Sequence, residues 1–133
     1  MTREELLEMS DEAYMNGAQR AYFRDILLRM RDEILKELNS ARDHLQDNDR
    51  TADILDRAAA EESRGLMMRF RQREARLLRK IDQALRRIDS GEYGYCEESG
   101  EPIGLPRLLA RPTATLCIAV KERKERIEHV FAR

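Results

Sequence analysis

From Met67 to Asp89 the chain reads MMRFRQREARLLRKIDQALRRID. Met67, Ile81 and Ile88 share one position of a seven-residue repeat, and Phe70, Leu77 and Ala84 share another. Glu74 interrupts the first set, and Leu85 widens the stripe beside Ala84. Arg, Glu, Lys and Gln fill nearly everything between. Two apolar positions per heptad between charged flanks make the seam of a coiled coil. Upstream, a matching stripe runs Phe23, Leu27, Met30, Ile34, Leu38, Ala41 and Leu45 in steps of three or four, predicting a helix from Tyr22 to Leu45. Two such helices joined by a short polar loop fold back on each other. The second, from about Arg57 to Asp89, spans about 50 Å at 1.5 Å per residue. Its partner meets it at the tip QDNDRTADILDRAA, residues 46–59, where the polar run from Asp47 to Asp53 reads as the loop.

Beyond Asp89 the texture changes. All three prolines lie between 102 and 112, and four of the six glycines lie between 91 and 104. A turn-rich segment follows the hairpin, and an amphipathic helix from about Cys117 to Val130 closes the chain, with KERKER on its outer face. The expected fold is mainly α: a long antiparallel coiled-coil hairpin with a small globular domain that holds a degenerate, zinc-less finger and a C-terminal helix. Residues 1–33 lead from the globular part into the first helix, 34–89 form the hairpin with an acidic tip at about 47–57, and 90–133 form the finger region and last helix.

Composition excludes several classes. Charged residues make up 38% of the 133 positions, against roughly a quarter in ordinary domains. They nearly cancel, to a net −1, which argues against non-specific DNA binding. With no Trp and 5% aromatics, long helices fit better than a large globular core. No apolar run approaches the ~20 residues of a membrane span, and no signal peptide is read. Two cysteines without an export signal suggest free thiols in a reducing cytoplasm.

The turn segment contains YGYCEESG, residues 93–100. With LCIAVK further on, it sets Cys96-x2-Ser99-x17-Cys117-x2-Val120. Four cysteines at this spacing would be a strong zinc signal. Serine is a poor zinc ligand and valine none, whereas structural zinc sites take four protein ligands. Nothing in the spacing recruits Glu97, Glu98 or His129 instead. We expect no zinc, a turn held by apolar packing, and two cysteines acting as small buried apolar groups. His44 and His129 read as isolated surface residues.

The tip carries Asp47, Asp49, Asp53 and Asp56. Asp53 can cap the second helix, with Asp56 three residues on favouring the helix dipole. The functional alternative is an acidic probe at the end of the hairpin, and the bulky Ile54 and Leu55 beside it favour that slightly. Arg64, Arg69, Arg71, Arg73, Arg76, Arg79 and Lys80 resemble a nucleic-acid helix, but the apolar seam runs through them. Most therefore read as the solvated coiled-coil face. Arg107, Arg111, Lys121 and Arg123, with Lys80, are suited to polyphosphate oxygens.

The stretches AYMNGAQRAYFRDILLRMRDEI, ADILDRAAAEES and REARLLRKIDQALRRIDSGEYGYCEESGEPIGLPRLLARPTATLCIAVK resemble the DksA family of bacterial transcription factors over roughly residues 13 to 125. With only Cys96 and Cys117 left of four cysteines, the chain resembles a zinc-lacking branch. The resemblance implies a monomeric cytoplasmic regulator and not an enzyme. It would bind RNA polymerase rather than DNA or membrane, with the hairpin in the secondary channel. There the tip would act near the catalytic centre and, with the alarmone ppGpp, alter open-complex stability, repressing ribosomal RNA promoters and activating some biosynthetic ones. By position the tip residues are Asp53 and Asp56 with Ala58 beside them, Arg73 is a polymerase contact, and Leu77, Lys80, Arg111 and Lys121 surround the alarmone. Ile54 departs from the usual tip proline. Two other readings stand beside this one. A transcript-cleavage factor also places tip carboxylates in that channel to hold a second magnesium, and a structural coiled-coil adaptor would need neither aspartate.

Overall fold

The computed structural model describes residues 1–51 and 57–131, with side chains described for 1–44 and 57–131. Its helices are α1 (Arg3–Glu8), α2 (Gly17–Thr51), α3 (Arg57–Ser90), α4 (Leu105–Ala110) and α5 (Ile118–Phe131), with a short 3₁₀ turn at Asp11–Ala13. Among the described residues the only β pairing is an isolated bridge between Tyr95 and Pro102. The chain divides into two compact units. One combines Met1–Leu27 with Gln83–Arg133, and the other is Leu28–Asp82.

The hairpin unit, Leu28–Asp82, follows from the stripes. Ile34 and Ala41 on α2 and Ile81 on α3 are buried, while Met30, Leu38, Met67, Phe70 and Leu77 are half-buried. Arg31 Nε donates to Asp82 Oδ1 at 3.0 Å, and Glu37 lies against Glu74. Advancing along α2 from Arg31 to Glu37 retreats along α3 from Asp82 to Glu74, which is the antiparallel sense that the stripes predict. Glu74, where the heptad is broken, sits beside a like charge rather than an apolar partner. Toward the tip, Ala41 and Ser63 are too small to fill the space between the helices. A groove of about 620 Å³ remains there, walled by Leu66, Met67 and Phe70.

Helix α2 begins at Gly17, where Asn16 Oδ1 accepts the Gln19 N–H at 2.9 Å and caps it. At its other end the structure differs from expectation. The polar run does not end α2 at Leu45, since the helix continues to Thr51. Asp and Asn cost a helix only up to ~0.7 kcal/mol each relative to Ala, too little to stop one already propagating.

In the globular unit, Leu6, Phe23, Leu27, Ala84, Ile88, Tyr93, Leu108 and Val120 are buried, each large aliphatic or Phe side chain contributing roughly 1.5–3 kcal/mol. The Phe23 and Tyr93 rings lie 5.6 Å apart, and Tyr93 Oη donates to the Pro112 carbonyl at 2.7 Å. Tyr14 is a second tie. Its hydroxyl donates to the Gly94 carbonyl at 2.6 Å and accepts the Gly104 N–H at 3.0 Å. Gly94 must be glycine: φ is +89°, and a Cβ would stand 2.8 Å from Met15 Cγ. Gln19 is fully buried, accepting the Met15 N–H at 2.9 Å and donating to the Met9 sulfur at 3.6 Å.

The last helix departs from its expected amphipathic burial. Val120 is buried and Lys121 partly so, but Ile118, Ile127, Val130 and Phe131 are exposed, Phe131 by 85%. The charged residues Glu122 to Arg126 are exposed, as the pattern suggests.

Candidate functional site

Glycine-rich turns between α3 and α4 build the finger. Cys96 N–H donates to the Glu101 carbonyl at 2.8 Å, and Gly100 N–H returns to the Cys96 carbonyl at 3.0 Å. Glu97 N–H reaches the Thr115 carbonyl at 2.8 Å, which brings the Cys117 segment alongside. Arg87 on α3 clamps the base: its Nη2 donates to the carbonyls of Glu92 at 3.0 Å and Tyr95 at 2.9 Å, and its Nη1 reaches Glu97 Oε1 at 3.3 Å. Arg107 Nε holds the Leu116 carbonyl at 2.9 Å.

Within this frame Cys96 is buried, Cys117 half-buried, Ser99 exposed and Val120 buried. Ser99 Oγ lies 3.7 Å from Cys117 Sγ. Burial alone would push the Cys96 thiol up. The Ser99 hydroxyl and the backbone N–H groups of Cys117, Ser99 and Glu98 outweigh it, and the thiol is pushed down to about 6. This corrects the expectation of two inert apolar sulfurs. Cys117 is only half-buried, and Cys96, although buried, has its thiol held below the usual thiol range by four directed donors.

The residues do not fit a four-ligand zinc ion. Among the described residues no group of three or more His, Cys, Asp or Glu is disposed to hold a metal. Val120 is turned into the core. Glu97 is engaged by Arg87, and Glu98 by Lys124 and by Arg123 at 3.8 Å. His129 is exposed on α5.

The other predicted residues fall in both units. Asp53 and Asp56 lie outside the described residues. Ala58 is exposed in the first turn of α3, and Arg73 is exposed further along it. Leu77, half-buried, and Lys80, exposed, stand three residues apart on one face of α3 in the hairpin unit. Arg111 and Lys121 belong to the globular unit. Arg111 is the exposed C-cap of α4. Lys121 lies at the start of α5, its Nζ 3.8 Å from Glu125. Sequence reasoning missed Arg87, Tyr14 and Gln19. Only the aromatic–glycine–aromatic run Tyr93–Gly94–Tyr95 signalled a close approach there.

Two family models match the chain. One, described as the DnaK suppressor protein DksA N-terminal domain, matches residues 19–88. The chain belongs to the DksA family. The second, described as the prokaryotic dksA/traR C4-type zinc finger, matches residues 91–126, so the degenerate finger is still a DksA-type finger in sequence. The RNA polymerase-binding transcription factor DksA of Caulobacter vibrioides is 52% identical over 90% of this chain and 85% of its own length. That of Escherichia coli is 44% identical over 86% of this chain and 76% of its own length. The structure of transcription factor DksA2 from Pseudomonas aeruginosa superposes with a TM-score of 0.90 at 50% identity, covering 96% of this chain and 99% of that one. Both parts of this DksA-family chain are therefore matched, hairpin and finger alike. No helix among the described residues is long and apolar enough to cross a membrane.

Proposed function

We propose that this chain is a transcription regulator that binds RNA polymerase through the secondary channel, acts there without chemistry of its own, and does so without zinc. The observation that carries the reading is the 52% identity, over nine-tenths of the chain, to a relative named an RNA polymerase-binding transcription factor. Asp53 and Asp56, beside Ala58, are the groups that act near the polymerase active centre, and Arg73 is a docking contact. Leu77, Lys80, Arg111 and Lys121 hold ppGpp with polymerase. The exposed cations Lys80 and Arg111 support this, since neither would have to leave a buried ion pair to meet phosphate. Zinc independence is supported by the finger's fabric: the Arg87 clamp, the Tyr14 and Tyr93 hydrogen bonds and buried Val120 hold the turns in place of a metal crosslink. The setting is the cytoplasm, and the protein works as a monomer.

The test is transcription in vitro from a ribosomal RNA promoter, with and without ppGpp and with a zinc chelator throughout. The protein lowers initiation, ppGpp deepens the effect, and the chelator changes neither. Lys80→Ala, Arg111→Ala or Lys121→Ala weakens the ppGpp-dependent part more than the basal part, by the ~1.5–3 kcal/mol of a charge-assisted contact. Equal losses in both parts would overturn the phosphate assignment. Cleavage of the transcript in backtracked complexes would overturn the regulator reading itself.

A further inference from the structure

The finger keeps two sulfurs where its C4-type family model has four ligands, and the way the chain holds those two points to a different ion. Ser99 Oγ lies 3.7 Å from Cys117 Sγ, and the same hydroxyl hydrogen-bonds the Cys96 sulfur. Both sulfurs thus converge on one small oxygen. The backbone N–H groups of Glu98, Ser99 and Cys117 also point at Cys96. Those donors are fixed by the turn hydrogen bonds of Cys96, Glu97 and Gly100, so the sulfur is oriented before any ligand arrives.

We propose that Cys96 and Cys117, converging on Ser99, form a two-sulfur site for a soft monovalent cation, with Cu(I) as its biological occupant. Donor type selects the ion. Thiolates favour soft cations, Cu(I) foremost among the common ones, and a closed-shell monovalent ion is content with two sulfurs in line. Zinc is not, because its structural sites are four-coordinate and Val120 and the ion-paired Glu97 and Glu98 offer it nothing. Charge agrees. Two thiolates and one monovalent cation leave a single negative charge, and the Lys124 ammonium lies within electrostatic reach of Cys96. Access is from the Cys117 side, which is half-exposed immediately before α5. Binding would join the two halves of the finger, residues 96 and 117, at the point where the family model places a metal. The site stands whether or not polymerase is the partner.

The experiment is an anaerobic titration of the reduced full-length protein with Cu(I) against a chromophoric Cu(I) chelator. The expected result is one Cu(I) per chain, a sulfur-to-copper charge-transfer absorption in the ultraviolet, and two sulfur neighbours by X-ray absorption. Cys117→Ser, on the accessible rim, lowers the affinity by more than the ~10–100-fold typical of losing a supporting residue. Cys96→Ser does the same, and Ser99→Ala keeps the site. Binding by wild type no tighter than by the double Cys→Ser variant would overturn the proposal. So would half a copper per chain with dimerisation, or equal competition by Zn(II).

Discussion

In the hairpin unit, Ile34, Ala41 and Ile81 are the buried hydrophobic residues among those described, and most other seam positions remain half-exposed. The globular unit buries Leu6, Phe23, Leu27, Tyr93 and Leu108 almost completely and ties a glutamine, two tyrosines and a cysteine sulfur by directed hydrogen bonds. The hairpin gains stability by repetition: many partial burials, each small, spaced along a seam that tolerates a misplaced Glu74 and an open groove. The globular unit gains it from a few positions that accept little substitution.

The largest effect that tests this difference is in the globular core. Phe23→Ala removes a fully buried ring that packs on Tyr93 and is expected to cost about 3–5 kcal/mol. Met67→Ala, at a half-buried seam position beside the groove, is expected to cost about 1 kcal/mol. Denaturant unfolding of both variants measures the contrast, and equal costs would erase it.

The smallest expected effect sharpens the contrast from the hairpin side. Desolvation, then the charge of Glu37, raises the Glu74 carboxyl above its usual 4.5, while Arg73 opposes the shift. A carboxyl raised on folding favours the protonated folded state. Its stabilising contribution is complete below 4.5 and is lost as pH rises through the folded value. At neutral pH, Glu74→Gln is therefore expected to unfold slightly later than wild type, and the gap should close as the pH falls toward 4.5. A gap that widens in acid would show that Glu37 and Glu74 do not repel. The effect is small because the pair is largely solvated.

The same contrast explains which features are legible in the sequence alone. Heptad spacing is a property of the chain, so Ile34, Ala41, Ile81 and Ile88 can be placed in a seam from their intervals. The end of α2 cannot, because a polar run such as Asp47 to Thr51 is compatible with either a loop or a continuing helix, and only propagation from the preceding turns decides. The globular unit is less legible. Arg87 looks like any other arginine of α3 until the backbone turns two carbonyls toward it. Tyr14 meets Gly94 and Gly104 some 80 and 90 residues away. Cys96 is legible as a retained position of a lost zinc site but not as an acidified thiol, since that depends on where a hydroxyl and the neighbouring N–H groups point. The exposed face of α5 misleads for the opposite reason: Ile127 and Val130 have amphipathic spacing, but no partner element among the described residues buries them.

The division of labour proposed for the molecule is that Arg73 on α3 docks on polymerase while Asp53 and Asp56 act. It is tested by replacing Asp53 and Asp56 with Asn in the full-length chain and following polymerase binding and promoter initiation in the same samples. Binding should stay within a few-fold of wild type while the effect on initiation is lost. Parallel loss of binding and effect would instead place the two aspartates in docking, and full retention of both would leave the tip without a role.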